Sequence, residues 1–570
     1  MNGTKFRDEE YPVRPIRDLR ELLRTSADLY RDRTAYLVKE TPAGPYLPIT
    51  FGQFLADVEA LGTALMELGL WGKKIAVIGE NRYEWVVTYL ATVCGLGVIV
   101  PLDKELPVAE IRNLLERSAA SAILYSGKME LEIHQAISGI ESLKNVINMD
   151  AETHGEGRLS YKTLLRRGKQ LLSEEQRYYL DTVIDPTVMN MLLFTSGTTG
   201  LAKGVMLSHK NLCSNVYQMS KCVRLVEGDV GLSVLPLHHT YEFTCHILTS
   251  LYQGSTVAFC QGLKYIVKNM AEAGVTLMLG VPLIFESMHQ KIWKQAEASG
   301  RADKLRKAVN ISKVLNNFNI KGQKKLFKSV HQALGGRVRL FISGAAAIDP
   351  NVMEDVNAMG ITMFQGYGLT ESAPIVAVNK DRCFKAAAVG LPLPGTEIQI
   401  IDKDEFGIGE IICRSDSVML GYYENPEETE KVLRDGWLHT GDYGYFDRDG
   451  FLYISGRKKN VIVTKNGKNI FPEEVEFYLN KSEAVKESLV WGMEEEGTGE
   501  TIVCAAIVPD YEIIEEKYGK VETDRIYSLI KQAVSEANDK MPLYKRIKRF
   551  EIRETEFEKT TTKKIKRIPR

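Results

Sequence analysis

A chain of 570 residues exceeds one small domain and predicts about two to four folding units. Its 44% hydrophobic and 26% charged residues are ordinary for a soluble globular protein, and a formal net charge of −1 excludes a global pull toward nucleic acid or an acidic membrane. Eight cysteines, none in a C-x-x-C pair and most within apolar runs, predict buried free thiols in a reducing cytosol rather than disulfides or zinc.

The opening stretch, MNGTKFRDEEYPVRP, lacks an apolar core, so no signal peptide is expected. From there to about residue 185, helical and strand patterns alternate. A helical period covers Phe51 to Leu68, a strand Lys74 to Ile78, a helix Tyr83 to Val93 and a strand Val98 to Leu102. Such alternation implies a parallel sheet with helices on its faces. The same style returns over residues 205 to 350, with strands at Gly231–Leu235, Thr256–Phe259, Leu277–Leu279 and Val338–Ile342. The uncharged runs Trp85–Leu102 and Phe243–Leu263 are interrupted by Gly, Pro or polar residues. Each reads as a buried helix followed by a strand, not as a membrane span. Between Phe285 and Gly335 lies a basic, helix-rich stretch with Lys304, Lys307, Lys324, Lys325 and Lys328. It is either a solvated helical surface or a face for anionic lipid or another subunit. After Pro392 short strands (Glu397–Ile401, Gly409–Cys413, Gly450–Ile454) between Gly and Asp turns predict a compact β subdomain. A new unit begins at Gly456, with a helix opening at Pro472, a strand over Ile502–Val508 and a helix over Ile526–Asn538. The boundary is placed at Ser455, giving domains of residues 1–455 and 456–570.

The stretch around which the chemistry is organised is Met191 to Ser208, MLLFTSGTTGLAKGVMLS. Two apolar strands flank a loop of Thr195, Ser196, Gly197, Thr198, Thr199 and Gly200, with Lys203 at a fixed offset. Glycine-rich backbone curls around anions, hydroxyls donate, and a lysine adds a mobile positive charge. This is a phosphate loop in character, although it is not the G-x-x-x-x-G-K-S/T of P-loop NTPases. His238 and His239 follow a strand without the spacing of a zinc site. Ser343-Gly344-Ala345 ends another strand in small residues, as expected where a ligand lies against backbone in an α/β crevice. Next comes Gln365-Gly366-Tyr367-Gly368-Leu369-Thr370-Glu371, which follows a strand and sets a ring, a hydroxyl and a carboxylate close together. Thr440-Gly441-Asp442 adds a further carboxylate.

In order and spacing these motifs resemble, nearly residue for residue in the phosphate loop, the adenylate-forming superfamily of acyl-CoA synthetases, luciferases and peptide-synthetase adenylation domains. The resemblance implies the roles: Tyr367 would stack on the purine, Thr370 would donate to the α-phosphate, Glu371 would hold Mg²⁺ and Asp442 would accept from the ribose diol. His239 would border the acyl carboxylate, Gly344 and Ala345 would face adenine, and Arg457 would join Asp442 at the ribose. Lys459 would be the hinge, Gly467 and Lys468 would meet CoA, and Lys564 would be the catalytic lysine. Family members often carry Gly where this chain has Ala345, and Lys563 stands where Gly is usual before the catalytic lysine. The strongly basic C-terminus also reads as a nucleic-acid or membrane tail.

The implied fold is α/β: a large N-terminal domain of two doubly wound α/β subdomains plus a small β subdomain, then a small, mobile α+β C-terminal domain. The implied enzyme is an AMP-forming fatty-acid–CoA ligase using ATP, Mg²⁺ and coenzyme A, with no nucleic-acid partner. Gly280–Phe285 and Ala373–Val376 would wall an apolar tunnel, which favours a medium- or long-chain acid. An aryl-acid ligase, a carrier-protein ligase and an adenylate-binding protein without turnover stand as alternatives. A cytoplasmic location, peripheral contact with the inner membrane face and an oligomer complete the expectations.

Overall fold

Capping chemistry fixes where the helices start. Thr50 and Gln53 form a capping box at the helix Phe51–Glu67, and Ser208 and Asn211 form another at His209–Cys222. The computed structural model describes residues 10–155, 157–195, 202–317, 322–380, 383–464, 468–495, 500–559 and 565–567. It divides into two compact units, one of residues 1–397, 413–438 and 448–451, the other of residues 398–412, 439–447 and 452–570.

The first unit is built on two sheets. One has the order Gly421–Tyr422, Lys203–Ser208, Met189–Thr195, Val98–Leu102, Lys74–Ile78, Ala122–Tyr125, Asn145–Asn148, Leu159–Ser160. The other runs Leu391–Pro392, Ile375–Val378, Thr362–Gly368, Leu340–Ser343, Leu277–Gly280, Val230–Ser233, Thr256–Phe259, Thr34–Val38, Leu47–Thr50. Their central strands pair in parallel and are apolar and buried on both faces, as helix-covered parallel sheets require. The strands Lys74–Ile78, Val98–Leu102 and Thr256–Phe259 and the helix Tyr83–Val93 lie where the sequence pattern places them. The strand expected at Val338–Ile342 is shifted to Leu340–Ser343, and that expected at Gly450–Ile454 to Leu452–Arg457.

Chain order conceals how the sheets are shared. The early strand Thr34–Val38 keeps its neighbour Leu47–Thr50 as an antiparallel partner, and its other edge pairs with the distant Thr256–Phe259, Tyr36 opposite Val257. The paired strands Met189–Thr195 and Lys203–Ser208 join the sheet of Lys74–Ile78 and Val98–Leu102, Ile99 opposite Met191. The uncharged run from Phe243 begins as a π-helical segment, Phe243–Leu248, which apolar periodicity does not distinguish from α-helix.

In the second unit Val485–Glu494, Thr501–Pro509 and Ile547–Ile552 form a sheet. Val475 and Leu479 of the helix Pro472–Leu479, with Ile530, Ala533, Val534 and Ala537 of Thr523–Asp539, fill one core with it. All eight cysteines are free thiols. Among the described residues no helix is long and apolar enough to cross a membrane.

Candidate functional site

The strands Met189–Thr195 and Lys203–Ser208 pair antiparallel with Thr195 opposite Lys203, and Thr195 Oγ1 lies 3.4 Å from the Lys203 carbonyl oxygen. Ser196, Gly197, Thr198, Thr199 and Gly200 lie outside the described residues. The Lys203 ammonium lies 2.6 Å from Glu428 Oε2 and 5.0 Å from the Tyr422 ring centroid. Tyr422 in turn donates from its hydroxyl to Glu371 Oε1 at 2.8 Å. Glu371 sits in the short turn Thr370–Ser372, and its backbone carbonyl accepts from Met419 N at 2.8 Å. One partly exposed carboxylate with hard oxygen donors fits a Mg²⁺ ion that takes its remaining ligands from substrate oxygens and water. Lys203, Glu371, Tyr422 and Glu428 therefore form one connected group. Sequence reading chose the first two and missed Tyr422 and Glu428, whose segment lies more than 200 residues beyond Lys203.

The strand Thr362–Gly368 brings Gln365, Gly366, Tyr367 and Gly368 to its C-terminal end. Gln365 is buried, and its amide donates to the Ala386 and Ala388 carbonyls at 3.0 and 3.2 Å. Its side chain fastens the following loop, which the motif alone does not reveal. Gly368 is needed for close approach, because a Cβ there would stand 1.9 Å from the Pro374 carbonyl oxygen. Tyr367 is partly exposed and sits opposite Ala377.

Gly344 follows the strand Leu340–Ser343, and its missing side chain has a protein occupant. A Cβ there would lie 2.6 Å from the Tyr241 ring, whose hydroxyl donates to the Ile342 carbonyl at 2.9 Å. Ala345 has φ 69°, the left-handed region, where a Cβ costs roughly 1–2 kcal/mol. That backbone shape accounts for a preference for glycine at the position. His239 is half-buried with its ring 4.1 Å from that of His238. His238 is buried, and desolvation, with Lys104 adding to it, lowers its pKa to about 3, so it packs as neutral imidazole. Asn81 ties the preceding loop, donating to Ser233 Oγ and the Leu235 carbonyl, another contact that sequence alone does not disclose.

In the second unit Asp442 and Arg457 are paired across neighbouring strands, with Arg457 Nε 2.8 Å from Asp442 Oδ1. Lys459 lies in the turn Lys458–Asn460, whose Lys458 is held by Glu410 at 2.6 Å. Lys468 N donates to Thr464 Oγ1 at 3.0 Å, and its ammonium lies 4.7 Å from the Tyr544 ring centroid. Gly467 and Lys564 lie outside the described residues. The flanks of that last stretch are described: Lys559 and Ile565 form an isolated antiparallel backbone bridge, and Arg567 reaches both Glu476 oxygens at 2.7 and 2.6 Å. Among the described residues no group of three or more His, Cys, Asp or Glu is placed to hold a metal ion.

The profile of AMP-binding enzymes matches residues 23–423, and that of the AMP-binding enzyme C-terminal domain matches residues 459–569. The chain belongs to the AMP-binding enzyme family. Within that family it is 29% identical to fatty acyl-CoA synthetase B of Dictyostelium discoideum, over 85% of this chain and 75% of that one. It is 30% identical to the peroxisomal long chain acyl-CoA synthetase 6 of Arabidopsis thaliana, over 79% of this chain and 67% of that one. The fold of this AMP-binding enzyme matches the anthranilate CoA ligase AuaEII in complex with anthranoyl-AMP, with TM-score 0.76, 21% identity and coverage of 99% and 97%. It also matches ATP-bound MatB from Rhodopseudomonas palustris, with TM-score 0.73, 25% identity and coverage of 96% and 97%.

Proposed function

We infer that this AMP-binding enzyme is an AMP-forming fatty-acid–CoA ligase that activates a medium- or long-chain fatty acid. The observation that carries the reading is similarity over most of the chain to fatty acyl-CoA synthetases. In the first half-reaction a carboxylate oxygen attacks the α-phosphorus of ATP, the bond to pyrophosphate breaks, and acyl-adenylate forms. In the second the CoA thiolate attacks the acyl carbonyl and AMP departs with the bonding pair. Such phosphoryl chemistry depends on positioning and charge neutralisation more than on covalent help.

The residues divide the work as follows. Lys203 and the Thr195–Gly200 loop hold the β- and γ-phosphates. Gly344, Ala345 and the Gln365–Gly368 strand end shape the adenine site, with Tyr367 stacking on the base. Thr370 donates to the α-phosphate, and His239 borders the carboxylate. Glu371 would hold Mg²⁺, which when bound would supply charge neutralisation to the phosphates. Asp442 and Arg457 take the ribose. Lys564 bridges the α-phosphate and the carboxylate, while Gly467 and Lys468 serve CoA. The functional domains are residues 1–455 and 456–570, with Lys459 as hinge between the two half-reactions. The test is pyrophosphate release across saturated fatty acids, benzoate and cinnamate, with and without CoA. Acyl-CoA formation that is greatest with long chains is expected. Preference for an aryl acid, or transfer only to a carrier protein, overturns the reading.

The enzyme acts in the cytoplasm, touching an anionic membrane face through its basic helices. In Ala302–Asn317 the exposed Lys304, Lys307, Ile311 and Val314 recur at spacings of three and four, one stripe of a helix. Exposed Leu326 lies among Lys324, Lys325 and Lys328. Apolar side chains among cations suit a surface of anionic headgroups over acyl chains. Co-sedimentation with phosphatidylglycerol vesicles, lost in Ile311→Asp/Val314→Asp, is expected; equal binding to neutral vesicles, or none, leaves a solvated helical face.

A further inference from the structure

The Lys203 ammonium already has an anionic partner. Glu428 Oε2 lies 2.6 Å from it, while Glu428 Oε1 takes the ammonium of Lys431 from the same helix, Pro426–Val432. The arrangement is built by backbone. Gly421 and Tyr422 pair with Met206 and Val205 of the lysine's own strand, and Tyr423 N donates to the Gly204 carbonyl at 2.7 Å. Asn425 then caps the helix by accepting from Glu428 N at 3.1 Å. The carboxylate is thus delivered to Lys203 by a strand edge and a capped turn, not by a free surface side chain. Hydrogen bonds from Lys203 and Lys431 hold its pKa down at about 2, so it is a permanent anion.

We propose that Glu428 is the resident counter-ion of Lys203, and that the phosphates of ATP or pyrophosphate must displace it. The proposal rests on the assignment of Lys203 to those phosphates. Before binding, Glu428 keeps the ammonium ordered on the Tyr422 ring. When phosphate takes the ammonium, Glu428 keeps Lys431, so neither the carboxylate nor the lysine is left without a partner. Glu428 therefore weakens the hold on ATP and on the leaving pyrophosphate alike, which favours product release. No bond is made or broken in this exchange.

The test is calorimetric titration of the full chain with inorganic pyrophosphate and with ATP, each with Mg²⁺, alongside the KM for ATP. Glu428→Gln keeps the size of the side chain and removes the charge. It is expected to tighten both ligands about two- to fivefold, the span of a solvent-accessible ion pair. Glu428→Asp, which retracts the charge by one methylene, is expected to fall between. Lys203→Ala should weaken both ligands, and Lys203→Ala/Glu428→Gln should show no gain over Lys203→Ala. If Lys203→Ala weakens binding while Glu428→Gln leaves it unchanged or weaker, the exchange is overturned and the role of Lys203 stands. If Lys203→Ala leaves binding unchanged, the role of Lys203 and the exchange both fall.

Discussion

Asp442 and Arg457 face each other across two neighbouring strands, with Arg457 Nε 2.8 Å from Asp442 Oδ1. The carboxylate is buried while the guanidinium is half-exposed, so the arginine orients an acid that is already fixed by its strand. A charge-assisted hydrogen bond is worth about 1.5–3 kcal/mol. Asp442→Ala is therefore expected to raise the KM for ATP about tenfold or more and to abolish the stabilisation of the melting curve by AMP. A KM within twofold of wild type would remove Asp442 from the nucleotide.

Lys203→Ala is expected to lower kcat/KM for ATP by about 10²-fold, the scale of losing preorganised charge at a phosphate. The fold should survive, because a partly exposed ion pair contributes about 1 kcal/mol or less. Steady-state kinetics and thermal melting of one preparation give both numbers. Unchanged turnover at subsaturating ATP would make the loop a simple turn.

Chain length tests the proposed apolar tunnel. Each buried methylene is worth about 0.8 kcal/mol, close to fourfold in kcat/KM, until the tunnel ends. A series of saturated acids should rise in that manner and then level. A flat profile across the series would contradict a tunnel.

The roles proposed for Lys564 and Lys459 are told apart by assaying the two half-reactions separately. Charge collects at the α-phosphorus only during adenylation, so Lys564→Ala should cut pyrophosphate release from ATP and fatty acid by about 10²–10³-fold and largely spare thioester formation from synthetic acyl-AMP and CoA. Lys459→Pro, which restricts a backbone torsion, should do the reverse. Equal loss of both halves in Lys564→Ala would refute the division of labour. The adenylation defect appearing in Lys563→Ala instead would move the catalytic lysine by one residue.

Glu476 gives the second unit a pH dependence. Burial raises its pKa to about 7, against the opposing pull of Arg567 and the Val490 amide. The native state then holds a proton that the unfolded chain, with an ordinary glutamate, releases near pH 4.5. The stabilisation is complete below about pH 4.5 and is lost as pH rises through 7. Glu476→Gln should flatten that decline between pH 5 and about 8 in melts that follow the second unit. A decline identical to wild type would assign it to other groups.

The sequence by itself determined the local elements and the family. The helical period of Phe51 to Leu68 is met by the helix Phe51–Glu67, and Lys74–Ile78 is apolar enough to be a buried strand. The motifs around Thr195 to Lys203, Glu371 and Asp442 resemble those of the adenylate-forming superfamily in order and spacing, and the match to AMP-binding enzymes over residues 23–423 shows the family. The tertiary structure alone decided which distant segments meet. Nothing near Thr34–Val38 announces Thr256–Phe259 as its partner, and nothing near Gly344 announces Tyr241 above it. Glu428 carries no mark in its own turn of the ion pair with Lys203. Periodicity and capping act within a few residues along the chain, whereas strand pairing and ion pairing act through space and are fixed only when the whole sheet closes.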